Sequence, residues 1–107
     1  MVKKKPFEFV YAPHTKKHMR AIERRYFSLI KKAIENQLTY EPDVETRNRK
    51  PLKRPVVFQA TWEIRLGPDN CFRVFYDVDI DAHEVNILAV GVKERDRLFI
   101  AGKEVEL

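Results

Sequence analysis

One stretch constrains the fold more than any other: EVNILAVGV, residues 84–92, where Val85, Ile87 and Ala89 fall on one parity and Leu88, Val90 and Val92 on the other. Successive side chains of a β-strand point to opposite faces, so a segment apolar on both parities is stable only where both faces are covered. The chain is therefore expected to build a sheet with this strand in its interior. At 107 residues it has room for one domain, residues 1–107, around one modest core.

The segment before it, WEIRLGPDNCFRVFYDVD (residues 62–79), holds two alternating runs joined by Gly67, Pro68, Asp69 and Asn70. Trp62, Ile64 and Leu66 share one face of the first run, which turns Glu63 and Arg65 the other way. Val74, Tyr76 and Val78 share one face of the second, leaving Arg73, Phe75 and Asp77 opposite. Three strands are thus expected at about residues 58–66, 71–80 and 84–92, with Asp79, Asp81 and His83 at the last turn.

Upstream, PFEFVY (residues 6–11) alternates as a half-buried strand. From His14 onward Met19, Ile22, Tyr26, Leu29, Ile30, Ala33, Ile34 and Leu38 recur at threes and fours, the apolar stripe of a helix. Periodicity leaves open whether this is one helix or two. Pro42 ends it, because the residue before a proline is driven out of the helical region. EPDVETRNRKPLKRP (residues 41–55) reads as an irregular basic loop anchored by Leu52, and KERDRLFIAGKEVEL after the last strand fits either a helical turn or a short strand. Together these give an α+β domain: a small, mostly antiparallel twisted sheet of about four strands with the helices on one face.

Composition narrows the function classes. Hydrophobic residues make up 44% and charged residues 35%, which excludes a disordered chain. No apolar run approaches the roughly 18 residues of a membrane span, and the basic start lacks a signal-peptide core, so a cytoplasmic protein with no membrane partner is expected. Charge is unevenly placed: residues 1–55 carry 15 Lys and Arg against 6 Asp and Glu, whereas residues 56–107 carry 6 against 10. A net +9 half meets a net −4 half, and the basic one is where a polyanion or an acidic protein would first land. A glycine-rich phosphate loop is excluded by a total of three glycines. His14 and His18 stand four apart, but only His83 remains as a third histidine and no ligand pattern supports it; neither metal nor cofactor is expected. The lone Cys71 forms no internal disulfide and reads as a passive thiol.

Chemistry concentrates at two places. Glu63, Arg65 and Arg73 converge on the sheet face the helices leave uncovered, and the planar guanidinium fork suits phosphate oxygens. An ordinary cross-strand ion-pair ladder has the same composition. In the basic loop, Arg47, Arg49, Lys50, Lys53 and Arg54 are candidates to hold a phosphate backbone, with a solvated loop or an acidic protein contact as the competing readings. Phe75 and Phe99 are candidates to stack on bases.

The strand and helical stretch followed by TRNRKPL, WEIRL, FRVFYDVD and ILAVGVKERDRLFIAG resembles the RelE/ParE superfamily of toxins from toxin–antitoxin modules, over nearly the whole chain. The resemblance implies a small sheet with two N-terminal helices packed as a hairpin, and hence a break near residues 22–26. RelE-like and HigB-like members cut messenger RNA on the ribosome without metal or cofactor, by attack of the 2′-hydroxyl on the adjacent phosphate. On that resemblance Arg73 in FRVFY matches the family's strand arginine, Arg65 in WEIRL and Lys93 in VGVKERDR match further basic positions, and Lys53 matches a lysine of the basic loop. Glu63 stands where RelE has a lysine and HigB-like members a glutamate; it is a base or an orienting group for Arg65. Phe99 falls where RelE has a catalytic tyrosine, and phenylalanine donates no proton, which makes a non-catalytic RNA-binding, degenerate toxin module a further alternative. The implied partners are a cognate antitoxin, in a toxin–antitoxin hetero-oligomer, and the ribosome with its messenger RNA. ParE-type members share the fold, lack the nuclease residues and inhibit DNA gyrase.

Overall fold

In the computed structural model, residues 4–54 and 57–106 are described. The chain runs β1 (Glu8–Tyr11), α1 (Thr15–Arg20), a 3-10 turn (Arg24–Tyr26), α2 (Phe27–Leu38), β2 (Arg49–Pro51), β3 (Trp62–Leu66), β4 (Phe72–Asp79), β5 (Glu84–Glu94), β6 (Arg97–Ile100) and β7 (Lys103–Val105). One sheet joins all the strands in the order β2-β3-β4-β5-β6-β7, each neighbouring pair antiparallel, and β1 adds to β5 in parallel.

The sheet is larger than the expected four strands, for two local reasons. The basic loop is not wholly irregular: Arg49, Lys50 and Pro51 pair with Ile64, Glu63 and Trp62 and form the edge strand β2. Its proline sits at the strand's end, where a missing donor is tolerated. The C-terminal stretch folds as the hairpin β6–β7, not as a helical turn, because Leu98 and Ile100 share a parity and reach buried positions. Residues 58–61, expected to open β3, lie outside it, with Phe58 and Gln59 in the left-handed region.

The helical stretch is interrupted. α1 ends at Arg20, Glu23 is extended (ψ 135°), and α2 starts at Phe27. Ile30, Ile34 and Leu38 recur every four residues on α2 and are all buried against Ile64, Val74, Tyr76, Val85 and Ile87 of the sheet. Leu29, expected on the same stripe, is exposed.

The opposite sheet face is not simply solvated. Val57 and Ala60 before β3, Phe75, Ala89, Leu98 and Ile100 form a second apolar cluster, and Leu52 packs against it as the loop's anchor. Phe75 is therefore buried and unavailable to stack on a base.

β5 serves both clusters through a bulge. Phe75 pairs with Ala89 but the next residue, Tyr76, pairs with Ile87, so Leu88 is an extra residue and the parity reverses across it. Val85, Ile87 and Val90 consequently face the helices, while Leu88 and Ala89 face the second cluster. The doubly apolar sequence is explained by this reversal together with burial of both faces.

On the other edge of β5, β1 ends opposite Ile87 and β6 ends, at Ile100, opposite Gly91, which leaves a gap between two partner strands. Two histidines fill it. His14 Nε2 lies 2.6 Å from the Leu88 carbonyl, and the Val90 amide donates to His18 Nδ1 at 3.2 Å. The histidine pair thus completes a strand edge and fastens α1 to β5.

Candidate phosphate-binding site

Register decides which charged side chains meet. Lys50 stands opposite Glu63, and Arg65 opposite Arg73, whose own partner across β5 is Gly91. With period-two alternation, Lys50, Glu63, Arg65, Arg73 and Lys93 share one sheet face. Directly opposed guanidinium groups repel one another, and Glu63 offsets this by accepting from both. Its Oε1 takes Arg73 Nη1 at 2.8 Å and Arg65 Nε at 3.3 Å. The Arg73 and Glu63 side chains are only 11% and 14% exposed, against 42% for Arg65, so the inner contact is the stronger of the two.

A turn holds the other side of Arg73. Its Nε donates to the Asn70 carbonyl at 3.3 Å. Asn70 is placed there by the loop Gly67–Asn70, closed by the Asn70 amide on the Gly67 carbonyl (3.0 Å) and the Cys71 amide on that of Pro68 (3.0 Å). Gly67 is required at its head: φ is +83°, and a β-carbon there would lie 2.3 Å from Phe72 Cδ2. Fixed at Nε and Nη1, Arg73 keeps Nη2 without a hydrogen bond among the described residues.

Beside it opens a hollow of about 550 Å³ lined by Pro68, Asp69, Asn70, Cys71, Arg73, Lys93 and Arg95. Three cations against the single carboxylate of Asp69 make it an anion-attracting concavity. Sequence reasoning named Arg73 and Lys93 but missed Arg95, which sits in the tight β5–β6 turn at φ 56°. The signal available for it was the two-residue alternation of Lys93, Arg95 and Arg97 in KERDRLF. Arg65 lies on the far side of Glu63 and does not line the hollow.

The basic loop separates into two kinds of residue. Arg47, Lys53 and Arg54 are exposed, and among the described residues no ion pair joins them to the Glu63 cluster. Lys50 shares the cluster's face and pairs with Glu45 at 3.1 Å. Arg49, expected to hold RNA, is only 6% exposed. On β2 it stands opposite Ile64 and so points toward the helix-side core, where its Nη1 donates to the Glu41 carbonyl. It belongs to the fold. Burial pushes the nearby Tyr76 hydroxyl well above its ordinary range, an effect partly opposed by the Arg49 charge, and that hydroxyl donates to the Pro42 carbonyl at 2.7 Å.

The aspartates near the far end of β4 also have structural work: Thr61 donates to Asp77, and the Ala82 amide donates to Asp79 across the turn at 3.0 Å. Burial raises the Cys71 thiol above its usual range, an effect partly opposed by a backbone hydrogen bond. His14 and His18 spend a ring nitrogen each on β5, as described above, and among the described residues no cluster of three or more metal-ligating side chains is present. Phe99 on β6 is half-buried and lines a recess with Glu94, Arg95, Asp96 and Arg97. No helix among the described residues is long and apolar enough to cross a membrane.

No protein-family model matches the chain, and no curated protein matches it in sequence. Among solved structures it is similar to a chain of the toxin–antitoxin complex RelBE2 from Mycobacterium tuberculosis, with 23% identity over 85% of this chain and 95% of that one and a TM-score of 0.68. At that identity the likeness establishes the fold: a RelE-like α+β domain, with a sheet more extensive than the sequence suggested.

Proposed function

We propose that the chain is the toxin of a toxin–antitoxin module and an endoribonuclease acting on messenger RNA at the ribosome. The observation that carries this reading is the fixing of Arg73 by Glu63 and Asn70 at the rim of a hollow shared with Lys93 and Arg95. A guanidinium held at two nitrogens is oriented before substrate arrives, so it stabilises the phosphorane without reorganising. In the reaction, the 2′-oxygen forms a bond to phosphorus and the bond to the 5′-oxygen breaks, leaving a 2′,3′-cyclic phosphate and a 5′-hydroxyl. Arg73 and Arg95 neutralise the equatorial oxygens, and the Lys93 ammonium supplies the proton to the leaving 5′-oxygen. Asp69, the carboxylate lining the hollow, accepts the 2′-hydroxyl proton.

Of the two roles open to Glu63, the contacts favour orientation: one oxygen is shared by two guanidinium groups, and the residue lies outside the hollow's lining. Arg65 is then the counter-charge that holds Glu63 against Arg73. Lys50, Arg47, Lys53 and Arg54 serve as a sequence-independent track for ribosomal or messenger RNA.

The structural neighbour is a complex with an antitoxin, and a surface here suits such a partner. Met19, Phe27, Ile30 and Ile34 line an apolar groove between the two helices, rimmed by Lys16, Arg20 and Lys31. An amphipathic acidic segment would cover the part-exposed Tyr11, Met19 and Phe27 and pair with the rim.

Induced expression followed by primer extension on cellular transcripts tests the reading. Cuts phased to codons and abolished by Arg73→Ala are expected. Intact transcripts accompanied by a DNA-damage response would instead point to gyrase as target.

A further inference from the structure

On the helix side of the same sheet end lies a second cavity, of about 450 Å³, that the phosphate chemistry does not use. Tyr26, Phe72 and Phe99 give it aromatic walls, and the Tyr26 and Phe72 rings meet at 5.1 Å with a 60° tilt. Its polar residues are His18, Cys71, Glu94 and Glu23, the last ion-paired with the exposed Arg25 at 2.9 Å. Because the Val90 amide donates to Nδ1 of His18, the neutral ring carries its proton on Nε2 and is a donor there. Pro68 and Cys71 line both this cavity and the cationic hollow, so the two recesses meet at the Gly67–Cys71 turn.

We infer that this cavity is a nucleobase site, which takes the base of a nucleotide whose phosphate is held by Arg73, Lys93 and Arg95. Three features point to that ligand. A nucleobase is planar, and it stacks on aromatic rings whatever its sequence identity. The polar set is complementary to an amino-bearing base, since a carboxylate accepts from an exocyclic amine and an imidazole N–H donates to a ring nitrogen. Charge is also partitioned as a nucleotide requires: Glu94 and the Arg25-paired Glu23 line the cavity, whereas three cations against Asp69 line the adjoining hollow, so the phosphate is drawn to the hollow. Adenine, cytosine and guanine fit this set, and uracil, which lacks the amine, fits it poorly. The inference rests on the reading of the hollow as a phosphate site.

The test is titration of the full chain with adenosine 5′-monophosphate, uridine 5′-monophosphate and ribose 5-phosphate, followed by calorimetry and by amide chemical shifts. Expected is roughly tenfold tighter binding of the adenosine nucleotide than of ribose 5-phosphate, with the uridine nucleotide between them and shifts at Cys71, Val90 and Phe99. Phe99→Leu, which keeps an apolar group in the sheet but removes the ring, should bring the adenosine nucleotide down to the ribose 5-phosphate level and leave the latter unchanged. Arg73→Ala should weaken all three alike. Equal binding of adenosine nucleotide and ribose 5-phosphate to the unaltered chain would overturn the base site while sparing the phosphate reading. No binding of any of the three would overturn both.

Discussion

Arg73 and Glu63 meet at 2.8 Å on adjacent strands with both side chains nearly withdrawn from solvent, and the same glutamate oxygen receives Arg65 from the other side. That contact converts two opposed like charges into an ordered triad. Replacing Glu63 with Ala leaves the pair uncompensated and is expected to lower stability by about 1–3 kcal/mol. Glu63→Gln, which keeps an acceptor, should restore most of the stability but orient Arg73 less well. Denaturant midpoints alongside cleavage rates check both; cleavage by Glu63→Ala at the unaltered rate would refute the orienting role.

Arg73→Lys retains the charge but loses the fork that reaches Glu63, Asn70 and a phosphate oxygen together. Cleavage should fall by roughly 10²–10³, the usual cost of removing one preorganised donor. Single-turnover rates on programmed ribosomes, with circular dichroism to verify folding, measure this.

Asp69→Asn should slow cleavage while leaving RNA affinity the same or slightly tighter, since it removes a base and a repulsive charge from the hollow. A variant that binds less well but cuts at the normal rate would remove Asp69 from the mechanism.

The basic loop should divide by burial. Arg47→Ala and Lys53→Ala are expected to keep the melting temperature and to lower the log–log salt slope of RNA binding by about 0.7 each. Arg49→Ala should leave that slope alone and destabilise the fold by roughly 1–3 kcal/mol, because the Glu41 carbonyl loses its buried donor. Filter binding at several salt concentrations and thermal melts separate the two classes.

Burial, and secondarily the neighbouring His14, hold the His18 imidazole below its ordinary value of 6.5, and Nδ1 must stay unprotonated to accept from Val90. As pH falls through 6.5 the unfolded chain takes up a proton the folded chain refuses, so stability is full above 6.5 and declines below it. Melting temperature recorded from pH 8 to pH 5 should drop more steeply for the unaltered chain than for His18→Asn, which keeps an acceptor and does not titrate. Parallel slopes for the two proteins would disprove the role of His18.

The alternation of WEIRL and FRVFY already required Glu63, Arg65 and Arg73 to leave the core on one side, because period two allows a strand no other choice. Likewise, the doubly apolar EVNILAVGV demanded cover on both faces, and the Ile30, Ile34 and Leu38 spacing settled which side of α2 is buried. These were legible because they are local, set by the geometry of one strand or one helical turn. What tertiary structure alone decided is where edges and registers fall. The extra residue Leu88 reverses β5 and is visible only against β4. Arg49 looks like its basic neighbours until pairing with Ile64 turns it inward. Arg95 enters the hollow only when the pairing of β4 with β5 brings the β5–β6 turn beside Arg73, a residue remote from it along the chain. Such placements depend on which strand lies alongside which, a long-range choice that no single segment's periodicity contains.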